Sequence, residues 1–253
     1  MMNRTFPVME IFGPTIQGEG LHVGRQTMFI RFGGCDYRCE KCDSMHAVEP
    51  ESVRKGAQKL TAKQIVAKVE NLQNAAGSEV PWVTLSGGNP VLHDLEELVA
   101  MLHNRGYAIA VETQGSVWKD WLQDCESVTI SPKGPGLLGA AQFAKMGQTK
   151  SQEFTLSEIY KILHMRPGFS WKIVIFSEAD LDFAEWIKGL YPMAPMFLSV
   201  GNPFVSGEVE NHQDVLYDAY EQIMQQVFKR PTLSDAIILP QLHVLLWGNK
   251  LGV

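Results

Sequence analysis

Short apolar runs recur along this chain, and most of them end in a turn built from Gly, Pro, Asn or a charged residue. Residues 82–86 run into Gly87-Gly88-Asn89-Pro90, residues 107–112 into Thr113-Gln114-Gly115, residues 127–131 into Pro132-Lys133-Gly134-Pro135, and residues 196–200 into Gly201-Asn202-Pro203. Residues 8–12, 27–32, 171–176 and 236–239 read as further strands. Helical patterns fall between them. Thr61-Ala62-Lys63-Gln64 forms a capping box ahead of a stripe of Ile65, Val66, Val69 and Leu72, and helices are expected over 93–104, 179–188 and 215–229. Parallel strands must be joined by a crossover, so this alternation predicts an α/β fold with a parallel sheet. Ligands of such folds sit outside the carboxyl ends of the strands, which makes these turns the expected mouth of a site.

Two stretches carry weaker signals. Residues 47–60 read as a polar connection. Residues 134–153, rich in small residues and holding Lys145 and Lys150, read as a flap or a surface excursion with a short helix at 140–145. Neither a repeat nor a linker divides residues 1–253, which are expected to form a single domain, and a 45% hydrophobic chain has the material for its core. A formal charge of −6 argues against a broad phosphate-binding surface, so the expected substrate is a small molecule and no nucleic acid. No apolar run approaches the roughly 18–20 residues of a membrane span, and residues 1–6 lack a signal-peptide core. A cytoplasmic location with no membrane partner is expected.

Three of the four cysteines, Cys35, Cys39 and Cys42, fall within eight residues directly after the strand at 27–32. Thiolates are soft ligands that select iron-sulfur clusters, zinc or copper(I). Three thiolates would hold a [4Fe-4S] cluster with one iron left open, whereas His46 could complete a Cys3His zinc site. Spacing alone leaves both possible. Cys125 lies far along the chain and reads as an ordinary half-buried thiol. Elsewhere, Gln17 and Glu19 place an amide and a carboxylate on one glycine-rich turn. Arg31 sits within an apolar strand and needs an anionic partner, from protein or ligand.

The Cys-x3-Cys-x2-Cys triplet after an early strand, with the Gly87-Gly88 turn after the next, resembles the radical S-adenosylmethionine (SAM) enzymes. A more specific set of motifs runs from Glu10 to Val253: Gln17-Gly18-Glu19-Gly20, Cys42-Asp43-Ser44, Ser86-Gly87-Gly88-Asn89-Pro90, Glu112-Thr113-Gln114-Gly115, Ser131-Pro132-Lys133 and Leu239-Pro240-Gln241-Leu242-His243. In that order they resemble the 7-carboxy-7-deazaguanine synthases, most of all those of Bacillus-type bacteria. The resemblance implies an incomplete, modified (β/α) barrel and ring contraction of 6-carboxy-5,6,7,8-tetrahydropterin with loss of ammonia, on the route to queuosine and other 7-deazapurines. It implies a [4Fe-4S] cluster on Cys35, Cys39 and Cys42, SAM, Mg2+ on Ser44, an electron donor such as flavodoxin or ferredoxin, and a homodimer. Substrate contacts would come from Ile16, Gln17, Gly18, Glu19, Arg31, Ser86, His243 and Val253. Those to SAM would come from Gly88, Glu112, Ser131, Pro132, Lys133, Ser199, Val200, Gly201 and Asn202. Asn89 stands where the superfamily usually has Glu, and Ser86 and Ser44 where relatives have Thr. A radical SAM activase of a protein partner shares the triplet, but would leave Gln17, Glu19 and His243 without a task.

Overall fold

The computed structural model describes residues 4–147, 150–204 and 211–253. Among them nine strands form one sheet: β1 (Thr5–Ile16), β2 (Gln26–Phe32), β3 (Gln58–Thr61), β4 (Trp82–Gly87), β5 (Ala108–Thr113), β6 (Ser127–Ile130), β7 (Phe169–Ile175), β8 (Met196–Val200) and β9 (Ile237–Leu239). Their spatial order is β3-β1-β2-β4-β5-β6-β7-β8-β9, parallel from β2 onward, with β1 antiparallel to both β2 and β3. The sheet is not closed, because β3 and β9 remain as separate edges. It has the parallel sheet that the alternation predicts and is the incomplete barrel that the resemblance implies.

The helices are α1 (Met45–Val48), α2 (Pro50–Gly56), α3 (Ala62–Ala76), α4 (Glu96–His103), α5 (Pro135–Leu138), α6 (Ala140–Gly147), α7 (Lys150–Leu163), α8 (Glu178–Leu190), α9 (His212–Val227) and α10 (Leu242–Trp247). Strands β6 and β8 are buried along their whole length, as parallel strands covered on both faces must be. On α3, Ile65, Val66 and Val69 turn inward, and the Thr61–Gln64 capping box closes its first turn. The main core gathers around Trp171, Phe32, Phe169 and Leu85. A smaller apolar cluster of Tyr37, Cys39, Leu137 and Leu138 packs beneath the cysteine loop.

Four expectations need correction. Residues 47–60 hold α1, α2 and β3 rather than a bare connection; β3 pairs with β1 from Thr5↔Thr61 to Val8↔Gln58 and buries only Leu60, so an edge strand left no alternating pattern to read. The first strand, expected over residues 8–12, runs from Thr5 to Ile16 as β1, right up to the turn that carries Gln17 and Glu19, with a register shift between Phe12 and Thr15. The short helix expected at 140–145 is α6, but the 134–153 segment also holds α5 and the start of α7; residues 148–149 and the side chains of 146–155 lie outside the described ones. Leu156, Ile159 and Leu163 of α7 are buried at helical spacing, a signal that the small residues before them obscured. Cys125 is also fully buried rather than half-buried: its Sγ meets the Trp121 carbonyl, and burial raises its pKa.

One buried carboxylate stitches α5 to the end of β7. Asp180 Oδ1 accepts the Gly136 N–H (2.8 Å), and Oδ2 accepts the Phe176 and Ser177 N–H groups and the Ser177 hydroxyl (each 3.0 Å). Replacing it would strand three backbone donors. Asp180→Ala is expected to cost about 3 kcal/mol in urea unfolding, and an unchanged midpoint would contradict this role.

Candidate active site

A cleft of about 1100 Å3, its mouth included, opens at the carboxyl ends of the parallel strands and is closed from the side by the Gln17–Glu19 turn and the C-terminal residues. The turn and the C-terminal segment are joined by backbone: Leu242 N–H donates to the Gly18 carbonyl (3.0 Å). A Cβ on Gly18 would come within 2.8 Å of His243 Cγ, so only glycine admits this imidazole. Of the residues expected at a site, Ile16, Gln17, Gly18, Glu19, Arg31, Ser86, His243 and Val253 all line the cleft, as do Gly88, Glu112, Ser131, Lys133 and Asn202. Pro132, Ser199, Val200 and Gly201 do not; Val200 and the fully buried Ser199 are behind the wall, and Gly201 packs on Phe176.

At the floor lies a buried charge network. Lys172 Nζ is 2.8 Å from Glu19 Oε2 and 3.5 Å from Glu112 Oε1. Gln17 Nε2 also donates to Glu112 Oε1 (3.3 Å), Ser86 Oγ to Glu112 Oε2 (3.5 Å), and Gln241 Nε2 to Glu19 Oε1 (3.1 Å). Burial opposes charge on Glu19, yet Lys172, His243 and the two hydrogen bonds overcome it and hold the carboxyl down at about 2. Burial likewise opposes charge on Lys172, and Glu112 and Glu19 outweigh it and raise its pKa. Lys172 was missed in the sequence. The available signal was the one used for Arg31, a charge inside an apolar strand, here β7. Glu112, expected on SAM, is drawn into the Gln17 and Glu19 set because Lys172 bridges them.

A second network surrounds Arg31. Its Nη1 donates to Ser44 Oγ (2.9 Å), and its Nε lies 3.2 Å from Glu10 Oε1, an ion pair without hydrogen-bond alignment. Glu10 supplies the anionic partner that Arg31 needed, and also takes His46 Nε2 at 2.6 Å. His46, the possible fourth zinc ligand, is thus engaged away from the cysteines. Ser44 Oγ donates in turn to Asp43 Oδ1 (3.0 Å), giving two hard oxygens side by side. Beside them Phe12 and Phe29 stack at 5.0 Å, a flat apolar wall that was not foreseen.

Cys35, Cys39 and Cys42 are free thiols on one loop. Burial raises all three, Cys39 to about 11 and Cys42 to about 12, while the Lys133 ammonium pulls the other way. As protonated thiols they would be poor ligands, and metal binding displaces such protons. Among the described residues no group of three His, Cys, Asp or Glu converges as a single-ion site would require. Three cysteines on an open loop fit a larger polynuclear cluster, and Cys125 is sequestered in the main core. Gly88 anchors the loop: its N–H donates to the Phe32 carbonyl (3.0 Å), and Asn89 N–H reaches Gly34 (2.8 Å).

The 4Fe-4S single cluster domain family matches residues 16–160. The 7-carboxy-7-deazaguanine synthase of Bacillus subtilis (strain 168) is 39% identical over 258 residues, covering all of both chains. The chain belongs to the 7-carboxy-7-deazaguanine synthase family. The synthase of Bacillus cereus is also 39% identical, over 98% of each chain. In fold, the chain resembles QueE from Escherichia coli, with a TM-score of 0.65 at 18% identity over 94% of this chain and 95% of that one. A further likeness is to SuiB of Streptococcus suis, with a TM-score of 0.53 at 13% identity over 84% of this chain and 48% of that one. As a 7-carboxy-7-deazaguanine synthase family member the chain is a radical SAM enzyme, with a [4Fe-4S] cluster and SAM as cofactors. Among the described residues no helix is long and apolar enough to cross a membrane.

Removing one partner of the buried pair leaves the other charge stranded, so Lys172→Met should destabilise by about 3–5 kcal/mol in chemical denaturation. The pH dependence follows from Glu19, whose pKa drops from 4.5 to about 2 on folding. Its contribution is present above 4.5 and lost as pH falls toward 2. The stability gap between the native chain and Glu19→Gln should therefore narrow over that window, and a constant gap would refute the assignment.

Proposed function

We propose that the chain converts 6-carboxy-5,6,7,8-tetrahydropterin to 7-carboxy-7-deazaguanine with loss of ammonia, for queuosine or another 7-deazapurine. It would act as one domain over residues 1–253, in the cytoplasm, as a homodimer, reduced by a carrier such as flavodoxin or ferredoxin. The observation that carries the reading is the convergence of Gln17, Glu19, Glu112 and Lys172 at the cleft floor, in a chain 39% identical to named synthases over its full length.

A pterin offers a donor-acceptor edge, a flat ring and a carboxylate, and each has a counterpart. Glu19, ionised at any physiological pH, serves as an acceptor for ring N–H groups, and the Gln17 amide reads the neighbouring positions. Lys172 keeps Glu19 charged and pairs with Glu112 without itself needing to move. The Phe12–Phe29 wall suits the ring face. Arg31 spends Nε on Glu10 and Nη1 on Ser44, leaving further N–H groups for the substrate carboxylate. His243 and Val253, at the cleft rim, close over the substrate, while Ile16, Gly18 and Ser86 shape its walls.

The thiolates of Cys35, Cys39 and Cys42 would hold the cluster, and Gly88, Ser131, Lys133 and Asn202 would hold SAM, with Pro132, Ser199, Val200 and Gly201 supporting the strand ends behind them. When bound, the cluster and SAM supply a carbon-centred radical that removes hydrogen from the substrate. The protein's task is orientation and exclusion of water. Mg2+ would take Ser44 Oγ, with Asp43 beside it, together with the substrate carboxylate and waters.

The test is anaerobic: the reconstituted enzyme with dithionite, SAM, Mg2+ and the carboxylated pterin, followed by mass spectrometry. Formation of 7-carboxy-7-deazaguanine is expected, whereas SAM cleavage without it would discard the substrate. Ser44→Ala should raise the Mg2+ concentration needed for half-maximal activity by about tenfold, and an unaltered Mg2+ titration would remove Ser44 from the ion.

A further inference from the structure

Gln114 is buried in the turn after β5 and lines the cleft, yet the substrate and SAM assignments above leave it without a task. Its Nε2 carries two hydrogens. One goes to Asp36 Oδ1 and the other to Cys35 Sγ, at 3.6 Å. The direction of this amide is fixed by a chain of hydrogen bonds that starts at the backbone. Val91 N–H can only donate, and it meets Asn89 Oδ1 at 3.2 Å, where the Thr113 hydroxyl also donates at 2.9 Å. Asn89 therefore turns its Nδ2 the other way, toward Asp36 Oδ1 (3.0 Å) and Ser116 Oγ (3.2 Å). Asp36, a carboxylate, only accepts. Gln114 must then present its NH2 group, because the reverse orientation would set its carbonyl oxygen against the Asp36 oxygen and withdraw the hydrogen from sulfur. Cys35 Sγ takes a further donor from the Tyr37 N–H at 3.3 Å.

We infer that Gln114 donates a hydrogen bond to the cluster through the Cys35 sulfur and raises its reduction potential, with Asp36 and Asn89 as the positioning residues that hold the amide in that orientation. The inference rests on the assignment of the cluster to Cys35, Cys39 and Cys42. Once Cys35 is a thiolate, the same N–H meets a sulfur carrying negative charge, and that charge grows when the cluster takes up an electron. A donor already in place favours the reduced form over the oxidised one. No bond forms or breaks and no proton moves: the cluster gains one electron from the external one-electron carrier, and Gln114 sets how readily. Lys133 acts differently, as a point charge on all three cysteines, whereas the Gln114 amide is directed at one sulfur. The plainer role of this network is to staple the cysteine loop to the turns after β4 and β5. The bonds to Asp36 suffice for that, and the second Gln114 hydrogen, aimed at sulfur, adds nothing to it.

The test is a redox titration of the reconstituted cluster, followed by electron paramagnetic resonance, in the native enzyme and in Gln114→Met, which keeps the side chain's length and loses the donor. In the variant the equilibrium constant for one-electron reduction should fall roughly tenfold, about 59 mV, the effect of one hydrogen bond to a charged acceptor. Loss of the amide also leaves Asp36 less neutralised, which acts in the same direction. Ser116→Ala removes another hydrogen bond of the network without touching sulfur and should leave the potential where it is. A staple alone would lower the iron content of Gln114→Met but not shift the potential of the clusters that form. A second measurement needs no variant and decides the matter if Gln114→Met holds no cluster. With glutamine side chains labelled in heavy amide nitrogen, pulsed electron paramagnetic resonance of the reduced native enzyme should show one such nitrogen coupled to the cluster. An unshifted potential in Gln114→Met, an equal shift in Ser116→Ala, or absence of the nitrogen coupling would overturn the role of Gln114 and leave the cluster in place. Native enzyme that takes up no iron and acid-labile sulfide would overturn the cluster assignment, and the inference with it.

Discussion

The Lys172–Glu19 pair is where the two ends of the chain and the middle of its sheet become one site. Lys172 extends from β7, Glu19 from the turn after β1, and Gln241 from the C-terminal segment that hydrogen-bonds Glu19 on its other oxygen. Removing two charges from water is costly, and such a pair holds only when geometry and additional hydrogen bonds satisfy it. Here Glu112, Gln17 and Ser86 complete the set. The consequence is a carboxylate that stays ionised through any physiological pH, fixed in place before a substrate arrives. Preorganisation of this kind lets a site recognise donors without first reordering itself.

The cysteine loop depends on a different balance. It is held from inside by apolar packing on Leu137 and Leu138 and from the sheet by the Gly88 and Asn89 backbone. Asp180 fixes α5, which carries those leucines, to the end of β7. The same burial that steadies the loop keeps its thiols protonated in the absence of metal. Cluster assembly must therefore displace protons, and Lys133 lowers the cost of the thiolate charge. Asn89, fully buried, spends its side chain on Asp36, Ser116 and Thr113. A carboxylate in its place would face the Asp36 carboxylate at close range, which gives the departure from the usual Gly-Gly-Glu a local reason.

Legibility in the sequence tracked how local the cause was. The strands β4 to β8 and the helices α3, α8 and α9 could be read because apolar periodicity and caps act within a few residues. β3 could not, since its pairing with β1 comes from partners fifty or more residues away and its side chains are mostly exposed. Among the site residues, Gln17, Glu19, Arg31 and the three cysteines stood out by residue type and setting. Lys172 carried the same sign as Arg31, a charge within an apolar strand, but its importance depends on what lies across the sheet.

The chain's sequence alone determined the strand-helix alternation, the three-cysteine loop with one coordination position left open, and the ordered motifs that mark the family. These are set by side-chain chemistry and short spacings, which survive without knowledge of the fold. Only the tertiary structure decided which of those residues meet. It made Lys172 the counter-charge of Glu19 and Glu112, gave Arg31 to Glu10 and Ser44, and turned His46 away from the cysteines. The reason is physical: ion pairing and burial depend on separation in space, and crossover connections bring together residues that lie more than a hundred positions apart along the chain.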